Sequence, residues 1–229
     1  MKTCLILLLV FFTLSINPTL AVDNDLSLWS SQWVSLPITS RIGTLFEVST
    51  RTKDHITEWD QIYIRPAISY KLTNSLSVFQ GYSWDPNFYP YVNENRVWQQ
   101  VLHRKPFKNF TLENRARLEE RFIKGVNGTA VRARYRLGAW VPLNKKKDWL
   151  FVLWDEFWVN LNSRPDGPQG GYDRNWLFAG INKKLSENVT LEGGYMFQEI
   201  NKVAPTHDIL NHVIVLNMYF TLPQLLKDK

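Results

Sequence analysis

Cysteine is nearly missing from this chain. The single one, Cys4, falls inside a leader-like start, MKTCLILLLVFFTLSINPTLA, with one lysine, an unbroken apolar run from Cys4 to Phe12 and a small-residue end at Thr19-Leu20-Ala21. This layout is expected of a secretory signal peptide over residues 1–21, cleaved after Ala21. Thr13, Ser15, Asn17 and Pro18 interrupt the run, which is short for a spanning anchor. Loss of Cys4 leaves no disulfide and no thiol chemistry in residues 22–229. Long apolar runs are missing too, since no later segment approaches the roughly 18 uncharged apolar residues of a spanning helix. If residues 22–229 live in a membrane, they must do so as one closed barrel domain. Also missing are HExxH, a Cys pair, a calcium-loop pattern and GxSxG, so neither metal nor cofactor is expected.

What the chain does have is alternation. Residues 110–141, FTLENRARLEERFIKGVNGTAVRARYRLGAWV, form two long runs joined by a Gly-containing loop. Phe110, Leu112, Ala116, Leu118 and Phe122 share one parity, and Glu113, Arg115, Arg117, Glu119 and Arg121 the other. In the second run Val131, Ala133, Tyr135, Leu137, Ala139 and Val141 alternate with Arg132, Arg134 and Arg136. Side chains of a strand point to opposite faces with period two, so this is a hairpin with one apolar and one arginine-rich face. Both runs reach the nine to eleven residues, roughly, of a tilted membrane-crossing strand. A soluble lipocalin-like or sandwich protein is the alternative, and it would reverse the facing of every residue.

Similar segments recur along the chain at 26–36, 41–51, 59–72, 76–84, 95–103, 149–161, 174–185, 189–200 and 210–222, with no competing helical period. Short turns (KLTNS, KPFKN, PLNKKKD, KLSEN) alternate with breaks of more varied length (WDPNFYPYVNEN, KGVNG, NSRPDGPQGGYD, NKVAPTHD), the rhythm of outer-membrane barrels. The expected fold is all-β, an antiparallel up-and-down transmembrane β-barrel. It has about ten strands, with twelve as the alternative, because bacterial barrels are even-numbered and 26–36 is the odd segment out. Pro66 blemishes its strand and calls for an edge or bulge. The ten tryptophans suit interfacial girdles, and core packing is the plainer reading.

With WSSQW, RARLEERF, RARYRLGAWVPL, DEFWVNL and YDRNWLFAGINKKLSENVTLEGGYMFQ in this order, the chain resembles a family of uncharacterised bacterial outer-membrane proteins of about this length, catalogued as a domain of unknown function. The resemblance covers nearly all of residues 22–229. It implies a barrel fold and an outer-membrane location in a Gram-negative cell, and brings no activity. HVIVLNMYF near the end resembles the last-strand signal of such barrels, although Thr221 to Lys229 follow it. The partners expected on this reading are outer-membrane lipid and lipopolysaccharide, with the barrel assembly machinery during biogenesis. Nucleic acid is not expected: the net charge of +6 is mild, and the arginines alternate with aliphatics.

The candidate lumen-lining set is Arg65, Glu113, Arg115, Arg117, Glu119, Arg121, Arg132, Arg134, Arg136, Glu156, Arg174 and Glu192, with Glu47 and Arg51 on the same parities. Strands about 5 Å apart let opposite charges pair across them. Such a set either holds a lumen shut, as in a structural envelope protein, or forms a basic constriction in a narrow anion-preferring pore for small solutes. Trp98, Trp154, Trp158 and Trp176 are expected inside as well. An outer-membrane lipid-modifying enzyme ranks below both. His55 and His207 fall in expected loops, no serine stands out, and the arginine neighbours of Glu113, Glu119 and Glu156 favour ion pairing over proton transfer.

Overall fold

A computed structural model describes residues 23–88, 90–201 and 208–227; the expected signal peptide lies outside the described residues. The strands are β1 (Asp23–Pro37), β2 (Ile42–Lys53), β3 (Glu58–Lys71), β4 (Leu76–Trp84), β5 (Asn87–Phe88), β6 (Tyr91–Val92), β7 (Glu94–Pro106), β8 (Thr111–Ile123), β9 (Ala130–Pro142), β10 (Trp149–Asn160), β11 (Gly171–Lys184), β12 (Val189–Ile200) and β13 (Ile209–Thr221). All but β5 and β6 form a closed wall in which chain neighbours pair antiparallel. The short β5–β6 hairpin tops the link between β4 and β7 and touches β3 where Asn87 meets Gln61.

The wall therefore has eleven strands, between the ten and twelve expected. With an odd number of up-and-down strands, the first and last run the same way, so the closing pair must be parallel. That pair is β1 with β13, in register from Asp23 opposite Ile209 to Ser35 opposite Thr221. Residues 26–36, the odd segment of the sequence, are thus the closing piece of the wall. Pro66 sits opposite Phe46 of β2, while on its other side the ladder skips from Ile64–Trp84 to Ala67–Gly81. The ring's missing N–H falls at that interruption.

Turns 38–41, 72–75, 107–110, 143–148 and 185–188 lie at one end of the barrel. Links 54–57, 85–88, 90–93, 124–129 and 161–170 lie at the other, as do the end of β12 and the starts of β1 and β13. In 124–129, Gly125 and Gly128 take φ of 89° and 78°, a left-handed backbone that suits glycine.

Burial alternates along most of each wall strand, and most charged wall residues take the buried parity, with Asp155 and Glu120 on the outward one. On β8 the inward set is Glu113, Arg115, Arg117, Glu119 and Arg121, while outward-facing Leu118 and Phe122 are exposed. Phe46, Ile68, Tyr135, Phe157, Ile214 and Leu216 likewise face outward, the last at 47% exposure. Inside, an apolar cluster of Trp29, Val152, Trp158, Trp176, Phe178, Met196, Val213 and Val215 fills the side lined by β1 and β10 to β13. Trp98 lies over Gly81 of the adjacent strand so closely that a Cβ there would stand 2.1 Å from its ring.

Candidate functional site

Against that apolar cluster, and touching it through Trp158, β7 to β11 turn charged side chains into the same interior. Glu119 is the centre: it accepts from Arg132 at 2.6 Å on one carboxylate oxygen and from Arg134 at 2.7 Å on the other. Arg134 also donates to Glu156 at 2.8 Å, and Arg115 reaches Glu156 at 2.7 Å. Arg132 extends the chain to Asp173 at 3.2 Å, and Asp173 accepts from Arg174 at 2.9 Å. The result is a continuous path of alternating charge from Arg115 to Arg174.

Three smaller clusters flank it. Near the end with the longer links, Glu94 accepts from Arg96 and Arg121 at 2.5 and 2.6 Å, and Arg96 also holds Asp85 at 3.0 Å. Towards the short turns, Glu113 is clasped by Arg104 and Arg136. On β2 and β3, Arg65 donates to Glu47 at 2.7 Å.

Among the described residues, two arginines of the interior lack a close carboxylate. Arg117 directs two N–H groups to Gln100, at 2.7 and 3.0 Å, and lies 4.2 Å from the Trp98 ring; Glu119 is 3.7 Å away. Arg51 sits between Trp29 and Tyr63, at 3.6 and 4.0 Å from their rings, and donates to the Tyr63 hydroxyl at 2.8 Å. A ring face attracts a guanidinium, most strongly where water is displaced, so these aromatics replace part of the missing counter-charge. The Trp158 ring adds a similar attraction for Arg134, at 3.5 Å, on top of its two carboxylates.

Amides and hydroxyls complete the polar lining. Glu192 accepts from Asn182, Asn217 and Tyr219, Ser27 donates to Asn211, and the hydroxyls of Ser31 and Ser49 meet at 2.7 Å. These contacts fill much of the interior, where Trp98, Glu113, Arg132 and Phe178 are each exposed by 1% or less.

The structure places Arg65, Glu113, Arg115, Arg117, Glu119, Arg121, Arg132, Arg134, Glu156 and Glu192 in this buried interior, with Arg136 and Arg174 at its partly exposed ends. Trp98, Trp158 and Trp176 are buried with them, and Trp154 packs against the apolar cluster. Sequence reasoning missed Glu94, Arg96, Asp85, Gln100 and Asp173. On 95–103 polar residues occupy both parities, because outward-facing Asn95 accepts from the Tyr82 hydroxyl at 2.5 Å and so keeps its place on the outer wall. The available signal was the spacing Glu94, Arg96, Trp98, Gln100, which starts one residue before the segment as read.

His55 lies in the exposed 54–57 turn, where its backbone N–H donates to Asp25 at 2.9 Å. His212 faces outward against the Tyr195 hydroxyl, and His207 lies outside the described residues.

Fold and site together define a closed β-barrel with an ion-paired interior and an apolar outer wall. The chain belongs to a family described as "Protein of unknown function (DUF2490)", whose model matches residues 26–208. It is also similar to an uncharacterised protein of Methylorubrum extorquens, with 29% identity over 197 residues covering 82% of this chain and 85% of the relative.

Proposed function

We propose that the chain is an outer-membrane β-barrel of a Gram-negative bacterium whose lumen is closed by its own side chains, a structural envelope protein in place of a pore. One observation carries the reading: the oily parity faces out and the ionic parity faces in. In water that arrangement would be doubly unfavourable, since large aliphatics and aromatics would be wetted while arginines and carboxylates lost their hydration. In a bilayer the outer side chains meet hydrocarbon, and the closed ladder leaves no lipid-exposed strand edge unpaired.

Among the described residues the exposed tryptophans stand towards the two ends of the outer wall, Trp59 and Trp84 near the longer links and Trp149 near the short turns, while exposed Phe46, Tyr135 and Tyr195 lie between. Such positions match the girdles at the two membrane interfaces. The C-terminal end of β13 lies at the short-turn end, which on this reading faces the periplasm.

Ion pairing supports closure over conduction, because most interior guanidiniums already hold a carboxylate. Arg117 and Arg51, paired with amide and aromatic groups, favour the second reading, an anion-preferring pore. Planar-bilayer recording separates the two. Folded protein is expected to be electrically silent; anion-selective steps that fall on replacing Arg117 and Arg134 would establish the pore instead.

A further inference from the structure

The short-turn end of the barrel has a composition that the wall does not explain. Its turns place a cation and a large exposed apolar residue side by side: Lys71 with Leu72, Lys108 with Phe107, Lys184 with Leu185, and Lys145 to Lys147 after Leu143. The tail repeats the pattern with Leu225, Leu226 and Lys227, and its backbone is tied beneath β1 by the Leu225 and Leu226 N–H groups, each 2.9 Å from a carbonyl oxygen. Among the described residues the acids of these turns are Asp148 and Glu187. The opposite end differs: among the described residues its links carry Lys124 and Arg164 against Asp54, Asp166 and Asp208, with Asp85 buried against Arg96.

Cations of the rim also lie along aromatics of the outer wall. Lys183 has its Nζ 4.6 Å from the Trp149 ring, Lys105 lies 5.4 Å from Phe107, and Arg41 donates to the Tyr70 hydroxyl at 3.4 Å. A single leucine in a water-facing turn is ordinary, but an exposed leucine or phenylalanine beside a cation in four turns and the tail forms a repeated pattern at one rim. A rim that met only hydrocarbon could not carry lysine. Both are satisfied where acyl chains give way to headgroups, because a lysine stem can lie on apolar surface while its ammonium reaches polar ground.

We infer that this basic, apolar rim seats in a leaflet of anionic phospholipid, with its lysines on the headgroup phosphates. The inference rests on the membrane reading above and adds a lipid class and a side to it. The excess of cations calls for negative charge from outside the chain, and the adjacent leucines and phenylalanines mark that charge as belonging to a lipid surface, not to a free anion.

The test measures lipids retained by the full chain in mild detergent, counted by native mass spectrometry after addition of phosphatidylglycerol, phosphatidylcholine or lipopolysaccharide. The unaltered barrel should retain phosphatidylglycerol in preference to phosphatidylcholine. Replacing Lys105, Lys108, Lys145, Lys146 and Lys147 by Gln should cut that preference by on the order of tenfold or more, since a lysine near an anionic surface is worth about fivefold. The control Lys124→Gln with Arg164→Gln should leave it unchanged. Should the five-lysine variant fail to fold, raising the salt on the unaltered chain reads the same attraction, which screening must collapse. Equal retention of the two phospholipids, stronger retention of lipopolysaccharide at the same lysines, or loss of preference in the control overturns the inference while the barrel remains in the membrane. Recovery of the folded chain without detergent removes the membrane reading itself.

Discussion

Arg117 and Arg134 stand opposite each other in register across β8 and β9, and their side chains turn to different partners. Arg117 leans to Gln100 on β7, while Arg134 donates to Glu119 and Glu156. The same register sets Arg115 against Arg136, again like on like. Like charges directly opposite are unfavourable; the hairpin's own Glu113 and Glu119 offset part of this by holding Arg136, Arg132 and Arg134, and neighbouring strands add Glu156 and Gln100. The charged interior is a property of the closed barrel more than of any one hairpin.

Glu119 is the residue whose loss should be felt most. Glu119→Gln leaves Arg132 and Arg134 with a weaker acceptor in a buried setting, and breaking a buried pair from one side costs about 3–5 kcal/mol. Urea titration in micelles, followed by tryptophan fluorescence, should show that drop. Glu47→Gln, which strands Arg65 alone, should cost less.

Gly81→Ala should destabilise the barrel by about 1–3 kcal/mol through overpacking, because the new methyl group meets the Trp98 ring. The same titration measures it. Trp98→Leu in the Gly81→Ala background should recover part of the loss, whereas a defect unrelated to the ring would not respond.

Leu118 faces outward near the middle of β8. On the membrane reading, Leu118→Arg should lower folding stability in lipid vesicles by about 2–4 kcal/mol, the cost of an arginine near the bilayer midplane. Thr73→Arg, in a turn, should change it little. Equal and negligible effects at both positions would argue that the wall does not meet hydrocarbon.

Asp148 lies in the 143–148 turn, where Lys183 donates to it at 2.5 Å and Asn144 also donates. These hydrogen bonds hold its carboxyl down at about 2, below the ordinary 3.8. A depressed carboxylate contributes stability that is present above the unfolded value and lost as pH falls through the folded one. Amide hydrogen exchange in the turn should therefore speed up between about pH 4 and 2 beyond its intrinsic pH dependence. Asp148→Asn should remove that extra acceleration. The pair is on the surface, so the change should stay local.

Much of the wall was legible in the chain because a strand encodes its two faces directly. Each of the eleven alternating segments became a wall strand, and the inward position of Trp158 and Trp176 followed from parity alone. Three things were not legible. Closure by a parallel β1–β13 pair depends on strand number, which no single segment carries. The facing of β7 was hidden by outward amides such as Asn95, which the Tyr82 hydroxyl on the next strand satisfies. Asp85 lies in a link and gains its partner Arg96 only when the link folds back over the bore.

The sequence by itself determined which side chains share a face, since period-two alternation is local and each residue's parity is set by its own strand. Only the tertiary structure decided which charge meets which. Arg115 reaches Glu156 two strands away, and Arg132 reaches Asp173 at a β11 bulge. Those pairings depend on register and curvature around the whole wall, and exist only once the last strand has met the first.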